Sequence, residues 1–297
     1  MLKLLSNSCR NMPELPEVQT TVNGLNKTVR GKKIVEISTS YNSPFDKNRD
    51  EIKNPKFFTL FRKKVKNQKI LKAERKAKNI LIHLSGGNTI LTHMKMTGYF
   101  FYNPPEHAPF IRLIFTLDNG KKLALSDMRK FAKVTLVPTK KLDTSLHLKN
   151  LGPEPLHKNF TYQIFKLQLL KRPKGKIKQV LMDQSLISGI GNIYSDEILW
   201  RAGVHPLSHP NKIPEKNLQE MFKATKETLR KGIDFGGDSM SDYRNIEGEK
   251  GKFQNHHRAY QKHKTKCLKK DCSGVLLKIR VGGRSAHFCP AHQILYR

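Results

Sequence analysis

Met12-Pro13-Glu14-Leu15-Pro16-Glu17 is the stretch around which the rest of the chain organises itself. An initiator methionine before a small residue is normally removed, so translation from Met12 would leave Pro13 first, with a free secondary amine. An α-amino group titrates near ~7.7–8.0 and a lysine near ~10.4, so only the first is substantially unprotonated at neutral pH. Such an amine can attack a sugar carbon. The iminium that results carries its positive charge without a proton and is a strong electron sink for elimination. Glu14 lies beside this nucleophile, where a general acid/base is wanted, and Glu17 lies one step further along. Proline and acidic residues also favour a first helical turn, so the same residues have a purely structural reading as a helix start.

Residues 1–11 (MLKLLSNSCRN) carry two basic residues and a short leucine cluster. They are too short for a secretory signal, and nothing in the chain approaches the ~20 apolar residues of a membrane span. The expectation is a leader absent from the mature protein, through an early start assignment or cleavage. A retained leader would make the Pro13 nitrogen an amide and forbid the chemistry above.

The 297 residues allow two ordinary domains or a pair with a small appendage. Lys plus Arg number 56 against 24 Asp plus Glu, a formal charge of +32. Lysine spread along the whole chain, rather than gathered on one amphipathic helix, points to a nucleic acid and not to a membrane surface. Three of the four cysteines, Cys267, Cys272 and Cys289, crowd the tail. That pattern predicts a metal site in a reducing compartment, here the cytoplasm beside the nucleoid, rather than a disulfide framework.

Along the chain, Val18, Val22, Leu25 and Val29 recur at helical spacing before Gly31. Short β-type runs follow at 34–38, 79–84, 88–93, 112–117, 122–126 and 133–137. Ser85-Gly86-Gly87 and Asp118-Asn119-Gly120 give hairpin signals between them. The expected fold class is α+β: an N-terminal antiparallel β-sandwich carrying one helix, then a helical domain, then a β-hairpin zinc finger. The expected divisions are 12–145 for the sandwich and 146–157 for a linker around Leu151-Gly152-Pro153-Glu154-Pro155. They continue with 158–258 for the helical domain and 259–297 for the finger. A helix opened by Pro214 is expected to end at Gly232, and the polar 250–266 stretch to be a mobile connector.

Cys267-x4-Cys272 and Cys289-x2-His292, sixteen residues apart, form a closed zinc set, structural because no position remains for water. His287 is the alternative fourth ligand. Gly282-Gly283-Arg284, between the pairs, is a flexible turn able to press a guanidinium on a phosphate. In Ser188-Gly189-Ile190-Gly191-Asn192-Ile193-Tyr194 the glycines permit a tight turn into a helix running to Arg201. The N–H groups at its start, with the Asn192 amide, predict a phosphate site.

Met-Pro-Glu-Leu-Pro-Glu-Val, the Gly-Ile-Gly-Asn-Ile-Tyr turn, the Leu-Gly-Pro-Glu-Pro-Leu linker and the terminal zinc finger occur here in the order seen in formamidopyrimidine-DNA glycosylases. The chain resembles this branch of the Fpg/Nei repair family from Met12 to about His292. The resemblance implies that Pro13 is the Schiff-base nucleophile, Glu14 the acid/base, Glu17 a supporting group and Lys78 a contact to the phosphate beside the lesion. It makes Asn192 a phosphate ligand within a helix–two-turns–helix domain and Arg284 the finger's arginine. A flipped nucleotide leaves a hole in the duplex, and Met96, Arg129 and Phe131 are the residues implied to fill it. His93, in the loop that carries Met96, joins the DNA-contacting set. The segment 236–257 is expected to include the loop that closes over an extruded purine. One structural zinc, damaged double-stranded DNA as partner and a monomeric state complete the expectations.

Three departures stand out. Met128, Lys130 and Ala132 replace residues of the family's usual Asp-Pro-Arg-Arg-Phe-Gly. Lys95 stands where glycine is usual. The first cysteine pair is wider than Cys-x2-Cys, and His292 replaces a fourth cysteine. Two rival readings remain: a Nei-type enzyme for oxidised pyrimidines, disfavoured by Leu15 where glycine is usual there, and a catalytically inactive DNA-binding paralogue.

Overall fold

The computed structural model describes residues 12–41, 49–240 and 242–297, so the expected leader at 1–11 lies outside the described residues. Helix α1 (Leu15–Thr28) starts where expected and is opened by a reciprocal pair. Glu14 accepts a hydrogen bond from the backbone of Glu17, and the Glu17 carboxylate accepts one from the Glu14 backbone. Strand β1 (Ile34–Thr39) and helix α2 (Pro55–Val65) follow, then β2 (Ile70–Lys76), β3 (Asn79–Leu84) and β4 (Asn88–His93). Strands β5 (Gly98–Tyr102), β6 (Ile111–Leu117), β7 (Lys122–Asp127) and β8 (Lys133–Pro138) complete this part.

They form two antiparallel four-stranded sheets, ordered β1-β6-β7-β5 and β2-β3-β4-β8. Between the sheets lies one apolar core, with Ile37, Phe100, Phe115 and Leu125 from the first and Ile80, Ile82, Ile90 and Val134 from the second. This is the sandwich that alternating strands predict. Two of its strands and one helix were not anticipated. In β2 two exposed residues in succession break the alternation, β5 is a run of aromatics, and α2 is capped by the Asn54 side chain on the Lys56 N–H.

The second half is helical: α3 (Tyr162–Leu170), α4 (Ile177–Met182), α5 (Asn192–Ala202) and α6 (Glu215–Asp234) surround a separate core. Helix α1 ties the halves together, because Leu15 belongs to this second core while Val18, Val22 and Leu25 belong to the first. Gly232 does not end α6, which runs on to Asp234. A Cβ there would stand 2.5 Å from the Tyr194 hydroxyl and 2.9 Å from Pro16, so the glycine allows α6 to approach closely.

The 250–266 stretch is packed rather than a loose connector. Phe253, Ala259 and Tyr260 are buried, and the Glu197 carboxylate accepts the N–H groups of Arg258, Ala259 and Tyr260 at 2.8–2.9 Å. The chain ends in the hairpin of β9 (Leu277–Val281) and β10 (Arg284–Phe288). Among the described residues no helix is long and apolar enough to cross a membrane.

Candidate active site

Pro13 and the two carboxylates behind it are buried where α1 meets α5. The Glu14 carboxylate sits on the first turn of α5 and accepts the N–H groups of Gly191 at 2.6 Å and Ile193 at 2.9 Å. A Cβ at Gly191 would come within 2.4 Å of that carboxylate, so only glycine leaves room for it. The donors expected to cradle a phosphate are therefore taken by an internal carboxyl group. What remains exposed to a ligand is the half-buried Asn192, whose buried Oδ1 has no hydrogen-bond partner in the protein.

Glu17 lies deeper. Its Oε1 accepts the Tyr194 hydroxyl at 2.8 Å and the Asp238 N–H at 2.7 Å, and its Oε2 accepts the Glu14 N–H at 2.8 Å. Burial, with the charges of Glu14 and Asp238, raises its pKa to about 7 against the pull of the Asp238 and Tyr194 hydrogen bonds. Burial also lifts Glu14 above the ordinary carboxylate range, although the Lys78 charge and the α5 N–H groups draw it down. The half-buried Lys78 is moved the other way. Desolvation lowers its pKa, Glu14 and Glu17 oppose that, and the nearby Arg284 guanidinium adds to it. Two carboxyls disposed to hold protons and one ammonium disposed to release its own make a proton-transfer site. Sequence reasoning missed Asp238, because nothing in its neighbourhood marks it. Tyr194 lay within the turn motif without a role.

The three expected hole-filling residues stand together on the sandwich side. Arg129 Nη1 donates to Met96 Sδ at 3.3 Å, and its guanidinium lies 4.5 Å from the centre of the Phe131 ring. Phe131 is 45% exposed, which is unusual for a phenylalanine without a partner and argues against a core role. One buried carboxylate fixes both loops: Asp127 accepts the Thr97 hydroxyl at 2.6 Å, the Tyr41 hydroxyl at 2.9 Å and the Ala132 N–H at 2.8 Å. The lysine at the position where glycine is usual in the family has a backbone counterpart. Lys95 and Lys130 adopt φ of 57° and 56°, in the left-handed region where glycine is unstrained. His93 Nδ1 accepts the Lys95 N–H at 3.0 Å. Burial and the charges of Lys95, Lys78 and Lys133 lower its pKa to about 3, so the ring is neutral at physiological pH.

In the tail, one ligand atom from each of Cys267, Cys272, Cys289 and His292 lies within 4.8 Å of the others. The Cys272–Cys289 sulfurs are 3.6 Å apart, and His292 Nδ1 is 3.4 Å from Cys267 and 3.9 Å from Cys272. A tetrahedral zinc with bonds of about 2.0–2.3 Å needs ligand edges of roughly 3.4–3.8 Å, so the residues fit that ion. His292 Nε2 donates to the Trp200 carbonyl at 2.9 Å, which leaves the Nδ1 lone pair for the metal. His287 is engaged elsewhere: its Nδ1 lies 2.9 Å from Asp196 Oδ2, and it is not in the cluster. Gly282 and Gly283, with φ of 54° and 77°, turn β9 into β10 and place exposed Arg284 at the tip.

Two described sequence families match: the formamidopyrimidine-DNA glycosylase N-terminal domain over residues 12–134 and the formamidopyrimidine-DNA glycosylase H2TH domain over 151–244. The chain is 34% identical over 281 residues to a formamidopyrimidine-DNA glycosylase of Streptococcus pneumoniae, covering 94% of this chain and 98% of the relative. It is 35% identical over 284 residues to that of Pelotomaculum thermopropionicum, covering 95% and 99%. Among solved structures it is similar to Lactococcus lactis Fpg in complex with abasic-site DNA, with a TM-score of 0.83 and 30% identity, covering 94% of this chain and 99% of that one. A complex of the same protein with DNA containing an oxidised pyrimidine gives a TM-score of 0.82 at 30% identity, covering 95% and 99%. With a sandwich, a helix–two-turns–helix domain and a Cys/His hairpin in this order, the chain belongs to the formamidopyrimidine-DNA glycosylase family.

Proposed function

We propose that this protein is a bifunctional DNA glycosylase/AP lyase that excises 8-oxoguanine and formamidopyrimidines from double-stranded DNA in base excision repair. The observation that carries the reading is Glu14: a buried carboxyl beside Pro13, anchored on α5 and biased toward its protonated form. In the proposed sequence the Pro13 amine attacks the anomeric carbon and the damaged base leaves with its bonding electrons. The bond from that carbon to the sugar ring oxygen then breaks to give the iminium, as the ring oxygen takes a proton and the nitrogen loses its own. Glu14 supplies and receives protons at the sugar. The iminium then draws electrons from the sugar as the 3′ and next the 5′ phosphate leave, by β- and δ-elimination.

Lys78, Asn192 and Arg284 are the proposed contacts that hold the phosphates, Met96, Arg129 and Phe131 those that occupy the vacated stack, and His93 a further proposed DNA contact. Zinc on Cys267, Cys272, Cys289 and His292 would be structural, holding the hairpin that presents Arg284. The division into 12–145, 146–157, 158–258 and 259–297 belongs to the same reading and is supported by the two separate cores. So do a monomeric enzyme and a cytoplasmic, nucleoid-associated setting.

Solved relatives bound to abasic-site DNA and to oxidised-pyrimidine DNA support a damaged-duplex substrate and give the pyrimidine reading a specific basis. Duplexes bearing 8-oxoguanine opposite cytosine, a formamidopyrimidine or thymine glycol separate the two. Faster cleavage of the purine lesions, with β,δ-elimination ends, is expected. Thymine glycol cleaved markedly faster than both would place the chain on the Nei side.

A further inference from the structure

Behind Glu17 lies a second buried charge pair in the 236–257 segment. Asp238 Oδ2 stands 2.7 Å from His257 Nε2, with the two side chains 3% and 1% exposed. The pair is held in place by its surroundings. The His257 ring meets the Phe253 and Tyr260 rings edge-on, with centroids 5.5 and 5.4 Å away, and Asp238 Oδ1 accepts the Met240 N–H at 3.1 Å. From the other side of the same residue, the Asp238 N–H donates to Glu17 Oε1 at 2.7 Å. His257 therefore touches the Asp238 carboxylate as an ion-pair contact, and the backbone of the same Asp238 touches Glu17, which in turn accepts the Glu14 N–H.

Three carboxyls this close and this buried cannot all ionise without compensation. Glu17 faces Glu14, Asp238, the Tyr194 hydroxyl and the more distant Lys78, and its carbonyl accepts the Tyr243 hydroxyl. His257 faces Asp238, Glu197 and Lys262. His257 stands at contact distance from Asp238 and from neither of the other two carboxyls, while burial and the neighbouring Glu14 and Asp238 charges push the proton affinity of Glu17 up. We propose that Asp238 and His257 are a positioning pair that sets the charge on Glu17, so that the 236–257 segment reports its seating to the acid/base site. The proposal rests on the assignment of Glu14 and Glu17 to that site. Burial draws the His257 imidazolium down, but the Asp238 hydrogen bond and the Glu197 and Asp238 charges outweigh it and leave its pKa above the ordinary histidine value.

The test compares wild type, Asp238→Asn and His257→Gln, each as the full chain, in kcat/KM against pH on an 8-oxoguanine duplex. Asp238→Asn keeps the backbone N–H to Glu17 but removes the charge, so the limb governed by Glu17 should move down by about one pH unit. His257→Gln removes the positive partner from beside Asp238 and so raises the proton affinity of Glu17, so the limb should move up. A purely structural role would lower activity without opposed shifts. Two substrate-free readouts separate this proposal from the activity itself. The His257 ring proton resonance should titrate above ~6.5 in wild type and below it in Asp238→Asn, and the pH dependence of the thermal midpoint should flatten in Asp238→Asn. Limbs that move together or stay fixed would overturn the coupling, as would a His257 titration or a midpoint profile indifferent to Asp238→Asn. Loss of cleavage in wild type, with the resonance and midpoint responding as stated, would overturn the enzymatic reading and leave the pair standing.

Discussion

The Glu14–Glu17 pocket and the Cys267–His292 tail both bury groups that carry charge, and they do so by opposite means. The pocket lies between two large cores, so its surroundings are rigid without it. Its carboxyls meet N–H and O–H donors and remain biased toward protonation. The tail has only a small core: Trp200, Ala259, Leu276, Cys267 and Cys289 form its buried cluster among the described residues, with Cys272 partly buried against it and Val281, Ala286 and Phe288 buried beside it in the hairpin. The difference is what each region needs its polar groups for. The pocket can lose one and stay folded, because packing elsewhere holds it. The tail cannot, because the ligands are the packing.

Four substitutions, two of them paired with a control, probe that contrast in falling order of effect. Cys289→Ser should reduce bound zinc from one equivalent to almost none, removing the ~10–16 kcal/mol that a structural zinc contributes in isolated fingers. Metal analysis and limited proteolysis of the tail would show it, and Arg284→Ala should by contrast lose DNA affinity with its zinc retained. Equal zinc in wild type and Cys289→Ser would dissolve the distinction. Glu14→Gln should cost ~10²–10⁴-fold in turnover with a smaller loss of stability, ~1–3 kcal/mol, since Gly191 and Ile193 donate to separate carboxylate oxygens and the amide keeps only one acceptor. A midpoint that falls in step with activity would make Glu14 a helix cap and no more.

Glu17→Gln sharpens the pocket's side of the comparison through pH. The folded-state pKa of Glu17, about 7, lies above its ordinary 4.5, so the folded protein holds a proton that the unfolded chain releases. The associated stability is fully present below about pH 4.5 and lost as pH rises through about 7. Thermal melts across that window should therefore decline less steeply in Glu17→Gln than in wild type, and an identical slope would mean that Glu17 is ionised throughout. Smallest of the four, Lys95→Gly removes a side chain from a left-handed position at φ 57° and should stabilise by up to ~1 kcal/mol. Denaturant midpoints would read the change, with Lys76→Gly, outside the left-handed positions, expected to move the other way.

Much of the sandwich was legible in the sequence because alternation and hairpin glycines are local signals. Strands β3 and β4 begin and end at the expected residues. Helix α2 was missed although Asn54-Pro55 and the Phe57, Phe58, Phe61 and Val65 spacing were present, because lysines and arginines crowd its other face. The roles proposed at Glu14 and Glu17 came from residue type and order, which chemistry constrains locally. Their partners did not. Gly191 meets Glu14 and Asp238 meets Glu17 across more than 170 residues of chain, and no periodicity encodes such a meeting. For the same reason the α5 N–H groups were assigned to a phosphate from outside when an internal carboxylate takes them. Which histidine joins the cysteine cluster was not legible in spacing, because it follows from what each one's other contacts leave free, Trp200 for His292 and Asp196 for His287.

Borohydride trapping on an 8-oxoguanine duplex, with the adduct mapped by mass spectrometry, tests Pro13 as the nucleophile most directly. Protein expressed from Met12 and processed to Pro13 should form a covalent adduct on the peptide that begins at Pro13, and protein retaining residues 1–12 should form none. Equal trapping by the two forms, or an adduct mapped to Lys78, would contradict the assignment of Pro13.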